Sequence, residues 1–198
     1  MEDKKSKKEK ILEASMKIFF REGFHKAKIS EIAEEAHIGK GTVYEYFESK
    51  EQLFEETAKS YVDNYCRLLT QVIEQEEKPI DKLKSYLAFQ KQNAHKFRNF
   101  YHLFEKRGET LDKEIFKVII TARNRILRLI SNIIEKGIQE GVFRELDPYI
   151  AASIFFGSTE QLVFDQMITE ESVKYVFNND EEEFLNILLK GIQKETGN

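Results

Sequence analysis

The chain has 198 residues, 41% of them hydrophobic and 33% charged, with 9 glycines and 2 prolines. That is enough for one domain or two small ones with a real apolar core. It holds too little Gly and Pro for an all-β or loop-rich fold, and its net charge of −4 excludes a general polyanion binder.

The helical period runs through almost the whole chain. The first 28 residues carry nine Lys or Arg against five acids, with Lys4, Lys5, Lys7, Lys8 and Lys10 close together. Such an arm is either the footprint of a nucleic-acid partner or a solvated tail. Ser6 followed by Glu9 reads as a capping box. The first helix then runs to about Glu22, with Ile11, Leu12, Ser15, Ile18 and Phe19 on one face and Gly23 as its stop. A short helix is expected over about Ile29–Ala36, with Ile29, Ile32, Ala33 and Ala36 inward. A tight turn at His37-Ile38 leads to a third helix over about Lys40–Phe47. Ser49 and Gln52 form a second capping box, opening a long helix to about Glu76 on Leu53, Phe54, Val62, Leu69 and Ile73.

Pro79 suits the first turn of the next helix, which runs to about Phe97. The stretch RNFYHLFEKRG predicts a short helix ended by Gly108. A long helix follows over about Leu111–Gln139, carrying Ile115, Ile119, Ala122, Ile126, Ile130, Ile133 and Ile134. EGVFRELDP reads as a turn, followed by helices over about Pro148–Ile168 and Glu181–Glu195. The expected fold is therefore all-α, with about nine helices.

A lone cysteine, Cys66, cannot close an internal disulfide. The lysine-rich start lacks the apolar segment of a signal peptide. No apolar run reaches the roughly 20 residues that span a bilayer. These features point to a cytoplasmic protein with no membrane partner.

The segment HIGKGTVYEYFESKEQL, from His37 to Leu53, carries the chemistry. Two short helices joined by about three residues make a helix-turn-helix, whose second helix can enter a DNA major groove. Gly39, Lys40, Gly41 and Thr42 stand at the start of that helix. Its free N–H groups and dipole favour an anion there, and its glycines let backbone come close. Val43 and Phe47, four apart, face inward. Tyr44 and Tyr46 suit sugar–phosphate and thymine-methyl contact or, alternatively, cover the surface of a small bundle. Lys50 can hold a second phosphate.

ILEASMKIFFREGF and ISEIAEEAHIGKGTVYEYFESKEQLF, with their spacing, resemble the DNA-binding domain of the TetR family of bacterial transcription regulators over about residues 9–55. The resemblance implies a helix-turn-helix domain over 1–52 and an effector-binding and dimerisation domain over 53–198. It implies that Lys28, Lys40, Gly41, Thr42, Tyr44, Tyr46 and Lys50 line DNA. Lys40 and Thr42 would read bases or nearby phosphates, while Tyr44, Tyr46 and Lys50 position the backbone. The chain departs from the family pattern in several places. Ala27 and Lys28 replace the usual hydroxyl at the start of helix two, and Lys28 can replace its phosphate contact with charge. His37 stands at a turn position usually held by Gly, and Gly39 replaces a serine cap. Glu45 either accepts from a cytosine amine or faces solvent.

GIQEGVFRELDPYIAASIFFG is similar to the junction of the penultimate helices in many members, including members that respond to fatty acyl-CoA. The resemblance implies a homodimer through the last two helices, with Phe155, Leu162, Leu185 and Leu188 at its interface. Gly157 and Ala151 would allow close helix approach. It implies a double-stranded DNA operator as partner. It further implies an effector: an acyl-CoA, a fatty acid or another hydrophobic compound. The apolar and aromatic residues Phe89, Phe97, Phe100, Tyr101, Phe104, Phe116 and Phe155 either fill a core or line that ligand's cavity. Among them Gln90, Asn93, Arg123 and Gln161 are expected to point inward, and a buried Arg123 would need an anion. Phe89, Gln90, Asn93, Phe104, Arg123 and Gln161 are the candidate effector pocket. No nucleophile–base pair, nucleotide loop or metal motif is evident, so no enzyme, cofactor or metal is expected.

Overall fold

The structure is a computed structural model that describes residues 6–105, 113–168 and 181–192, with the side chains of 95–105, 115, 161–168 and 181 outside that description. The described residues form eight helices and no strand: α1 (Lys7–Lys26), α2 (Ile29–Glu35), α3 (Lys40–Tyr46), α4 (Lys50–Glu74), α5 (Pro79–Glu105), α6 (Lys113–Gln139), α7 (Pro148–Ile168) and α8 (Glu181–Lys190). The expected count of about nine is corrected to eight among these residues. The break expected near Phe97 does not occur, because neither Gly nor Pro stands there and α5 continues to Glu105. The expected stop at Gly108 lies outside the described residues.

The chain divides into two compact units. One comprises Met1–Tyr65 and Asn99–Ala122, the other Cys66–Arg98 and Arg123–Asn198. Helices α4, α5 and α6 each contribute residues to both.

In the first unit, helix starts are set by local side-chain chemistry. Ser6 Oγ accepts from the Glu9 N–H at 3.2 Å, and Glu9 Oε2 accepts from the Ser6 N–H at 2.8 Å. At α4 the Gln52 N–H donates to Ser49 Oγ at 3.1 Å, while Gln52 Oε1 reaches one residue further back, to the Glu48 N–H at 2.6 Å. At Gly23 α1 leaves helical geometry, with φ 75° and ψ 165°, and one further turn follows to Lys26. That kink lets Phe24 fold back beside Phe19. Phe54 meets both rings at 5.0 Å between centroids, edge to face. Burying three such rings contributes several kcal/mol of apolar transfer, plus about 0.5–1.5 kcal/mol for each well-oriented pair. Phe20 and Tyr61 form a further edge pair at 5.6 Å, and burial pushes the Tyr61 hydroxyl up to about 12.

The second unit is built on Leu69, Ile73, Leu83, Leu87, Leu127, Ile130, Ile134 and Phe143, all essentially inaccessible to water. Helix α6 ends in a Schellman motif. Val142 N–H donates to the Gly137 carbonyl at 2.8 Å, Gly141 N–H donates to Ile138 at 3.0 Å, and Gly141 takes φ 71°. A Cβ at Gly137 would stand 2.2 Å from the Phe143 ring, so only glycine allows the ring to close over the helix end. Arg144 then secures α8, its Nε donating to the Gly191 carbonyl and its N–H to that of Ile192. Asp147 caps α7 by accepting from the Tyr149 and Ile150 N–H groups, both at 2.9 Å, with Pro148 at the first helical position. Cys66 is buried and unbonded to another cysteine. Phe116, expected to fill the core or line a cavity, is exposed.

Among the buried side-chain polar atoms, Ser15 Oγ has no hydrogen-bond partner. A buried unsatisfied hydroxyl costs about 1–3 kcal/mol, and alanine is the better helix former. Ser15→Ala is therefore expected to raise stability by about 1 kcal/mol in chemical denaturation. A lower midpoint at unchanged slope would show that this hydroxyl is satisfied.

Candidate nucleic-acid interface and interior polar cluster

Helix α2 ends in the same motif as α6, with a different residue at its critical position. The Ile38 N–H donates to the Ala33 carbonyl at 3.0 Å and the His37 N–H to that of Glu34 at 3.0 Å. His37 occupies the left-handed region at φ 55°, where α6 uses Gly141. A non-glycine residue there costs about 1–2 kcal/mol, which the two carbonyl bonds help offset. The turn ends at Gly39, the N-cap of α3, which offers no side-chain bond. Lys28, N-cap of α2, likewise gives no side-chain cap, and its Nζ lies 3.6 Å from Glu31. The absence of a hydroxyl at that helix start is thus real.

Helix α3 has seven residues, too short to persist alone. Val43 and Phe47 are buried and hold it to the unit. The remaining residues face outward: Tyr44 is 50% exposed and Tyr46 42%, while Lys40, Gly41 and Glu45 are exposed and Thr42 half-buried. In the free protein Glu45 therefore faces solvent. Lys40 Nζ stands 6.0 Å from the Tyr44 ring centroid, so charge and aromatic face are presented together. Gly41 has no internal justification: its φ is not positive, and a Cβ there would meet nothing within 4 Å. Glycine weakens a helix, and here it leaves the backbone open to close approach from outside.

Lys50, half-buried at the start of α4, does not reach toward its own helix N-terminus. Its Nζ donates to the His25 carbonyl at 3.1 Å and lies 4.7 Å from the Phe24 ring. It thereby caps the carbonyl end of α1, and burial lowers its pKa. An ammonium has three donors, and the bond to His25 uses one.

In the second unit, the residues expected to line a pocket separate. Phe89 and Gln90 are buried. Asn93 is half-buried and donates to the Phe89 carbonyl on its own helix. Arg123 is exposed, which corrects the expectation that it points inward. Its guanidinium lies 5.7 Å from the Phe156 ring centroid. The side chains of Phe104 and Gln161 lie outside the described residues. Among the described residues, the acid drawn toward this polar cluster is Glu160, which no motif or spacing singles out. Gln90 Nε2 donates to Glu160 Oε1 at 3.1 Å and to the fully buried Tyr86 hydroxyl at 2.9 Å. The Thr159 hydroxyl donates to the Phe156 carbonyl at 2.8 Å and lies 3.4 Å from Tyr86 Oη. Burial pushes the Glu160 carboxyl up to about 7, with the Arg123 charge pulling the other way. Burial likewise raises the Tyr86 hydroxyl.

Of the four expected interface residues, Phe155 and Leu185 are buried within the protomer and Leu188 is half-buried. The side chain of Leu162 lies outside the described residues. Among the described residues, the exposed large hydrophobics of α7 and α8 are Tyr149, Ile150, Ile154 (60%) and Ile187 (67%). The three isoleucines line a groove of about 330 Å³ together with Ala151, Phe155 and Leu188.

A short, anchored second helix that turns lysine, threonine, glycine and two tyrosines outward defines a helix-turn-helix DNA-binding protein. Comparison with known proteins agrees. Residues 11–57 match "Bacterial regulatory proteins, tetR family", and residues 76–163 match "Tetracyclin repressor-like, C-terminal domain". The HTH-type transcriptional regulator YhgD of Bacillus subtilis is 29% identical over 170 residues, 80% of this chain and 83% of that one. The fatty acid metabolism regulator protein of the same organism is 22% identical over 98% of this chain and 100% of its own. The crystal structure of the transcriptional regulator FadR from Bacillus subtilis in complex with stearoyl-CoA matches with TM-score 0.70. It is 22% identical, with 93% of this chain and 99% of that one covered. The chain belongs to the TetR family and is a DNA-binding transcriptional regulator. Among its described residues, no helix is long and apolar enough to cross a membrane, and no cluster of three metal-ligating side chains occurs.

Gly41→Ala separates folding from binding. It should stabilise the free protein, by up to about 1 kcal/mol, and weaken DNA affinity through the added methyl. Thermal melting and anisotropy with a duplex selected from random sequence check the two effects. Unchanged affinity would show that nothing approaches the helix at Gly41.

Proposed function

We propose that the protein is a repressor that binds a palindromic operator in double-stranded DNA as a homodimer and is released by a small lipophilic effector. The observation that carries the DNA part is the outward face of α3, where Lys40, Thr42, Tyr44 and Tyr46 share one exposed surface. The DNA-binding domain is taken as 1–52 and the effector and dimerisation domain as 53–198. Lys40 and Thr42 read bases or adjacent phosphates, and Tyr44, Tyr46, Lys28 and Lys50 hold the backbone. Lys50 does so with the donors left over from His25. Gly41 lets the helix come close. A regulator of this kind works in the cytoplasm, beside the chromosome.

Dimerisation is supported by the apolar face of Ile150, Ile154 and Ile187 around Leu188. Isolated exposed apolar residues are ordinary, but a contiguous set along a groove marks an interaction surface. Phe155 and Leu185 back that surface from inside. One recognition helix reads too few base pairs for specificity, so two must act in successive major grooves, about 34–36 Å apart.

The effector reading is supported by the relatives that regulate fatty acid metabolism and by the structure of one with stearoyl-CoA. An acyl-CoA, a fatty acid or another hydrophobic compound is the class to test, near Phe89 and Gln90. Binding that favours a conformation unable to grip DNA releases the operator, and DNA must weaken the effector by the same factor. Helix α4 belongs to both compact units and is the natural element to carry that coupling.

Tyr44→Ala and Lys50→Ala should both weaken operator binding but differ in kind. Lys50→Ala should reduce the salt slope by about one phosphate and affect all sequences alike. A changed base preference at constant slope would reverse the assignment.

Ile154→Glu should split the dimer in analytical sedimentation and abolish cooperative operator binding. A wild-type chain that sediments as a monomer at micromolar concentration would remove the dimer from the proposal.

A further inference from the structure

Apart from the DNA-facing helix and the α7–α8 groove, one concave surface has no role assigned to it. A groove of about 270 Å³ lies between α4 and α6 within the second unit. Helix α4 lines it with Cys66, Leu69 and Thr70, and α6 with Arg125, Arg128 and Asn132. None of its lining residues is acidic, in a chain that carries 35 acids against 31 Lys and Arg. None belongs to the candidate effector pocket either, so the groove stands apart from the effector reading.

The sequence on both walls repeats the bias. Residues 66–73 of α4 and 123–134 of α6 contain four arginines, no lysine and no acid. Elsewhere several cations are matched by acids: Lys8 by Glu56, Lys17 by Glu35, Arg21 by Glu22 and Lys136 by Glu140. Two of the four arginines have neighbours of their own. Arg67 donates to Gln71, and Arg123 lies over Phe156. Arg125 and Arg128 line the groove three residues apart on one helix face, where like charges repel. Arg128 has no hydrogen bond or ion pair among the described residues. A carboxylate from the facing stretch of α4 would relieve that repulsion, and residues 66–73 offer none. A cleft of one sign with apolar wall, here the buried Leu69, focuses its field on an ion inside.

The residue types choose the ion. A guanidinium presents a planar fork that meets phosphate or carboxylate oxygens with two parallel bonds, whereas an ammonium is a point charge. Two forks on adjacent turns suit an anion with several oxygens and more than one charge, which a single carboxylate lacks. The Asn132 amide, one turn beyond Arg128, adds a neutral donor. Thr70 does not, because its hydroxyl already donates to the Cys66 carbonyl at 2.9 Å. We propose that this groove binds a small phosphorylated compound, its phosphoryl oxygens held by Arg125, Arg128 and the Asn132 amide.

The test is calorimetric titration of the full chain, free of DNA, with inorganic pyrophosphate and, separately, with citrate as a polycarboxylate. Pyrophosphate should bind saturably and weaken as salt rises. Citrate should bind at least about tenfold more weakly. Arg128→Gln should weaken pyrophosphate at least about tenfold, the loss of one charge-assisted bidentate contact. Arg128→Lys, which keeps the charge, should recover only part. Asn132→Asp sets a carboxylate at the rim and should abolish binding with both arginines intact. Arg128 and Asn132 are exposed, so each variant should melt as the wild type does, and either one decides if the other does not fold. Arg67→Gln removes the same charge outside the lining and should change affinity by less than about twofold. Equal losses in Arg67→Gln and Arg128→Gln mean attraction by net charge alone and overturn the site. So does a wild type without saturable pyrophosphate binding, or binding that is lost with Lys40→Gln and kept in Arg128→Gln, which places the anion at the DNA-facing helix. Citrate as tight as pyrophosphate overturns the phosphoryl class.

Discussion

The DNA-facing chemistry depends on two side chains that hold a helix too short to hold itself. Seven residues cannot repay the cost of helix nucleation in water. Val43 and Phe47 do so by burial, and because they lie four apart they fix one face of α3 and leave the other outward. Every proposed reader of DNA, from Lys40 to Tyr46, takes its direction from that anchoring. Lys8, whose ammonium lies 5.6 Å from the Phe47 ring and 3.1 Å from Glu56, packs beside the same point. The entry of the helix is fixed by the bonded turn at His37.

Two helix ends in this chain use the same motif at different cost. At Gly141 the left-handed residue is glycine and the turn is free of strain. At His37 a side chain is carried into that region, next to the proposed reading head. Lys50 shows a related economy. One ammonium completes the carbonyl end of α1, lies near an aromatic ring and keeps donors for an outside anion. If Lys50 holds a DNA phosphate as proposed, a residue that joins the helix-turn-helix to α4 ties the geometry of the interface to the helix behind it.

The second unit carries conflicts of another sort. Its core is close-packed aliphatic and aromatic surface, into which Gln90, Thr159 and Glu160 are inserted. Tyr86, Gln90 and Thr159 satisfy one another. Glu160 accepts from Gln90, and burial raises its carboxyl to about 7.

The sequence by itself determined the helical class, the family, and the starts of the helices. Those starts are written in short-range chemistry: Ser6 with Glu9, Ser49 with Gln52, and glycine or histidine at turn positions. It also determined the split between Val43 and Phe47 inside and the tyrosines outside, because that split is a matter of spacing along one helix. It could not decide which faces of the later helices meet. Helix α7 is apolar on more than one side, so its period could not choose between Phe155, which turned out buried, and Ile150 and Ile154, which are exposed. Arg123 sits at helical spacing from Leu127 and reads as interior, but it is exposed, with its guanidinium 5.7 Å from the Phe156 ring centroid. Glu160 reads as a surface acid and is drawn inward by Gln90, seventy residues away in the chain. Capping and periodicity act within a few residues, whereas burial of a charge depends on neighbours that only the folded chain brings together.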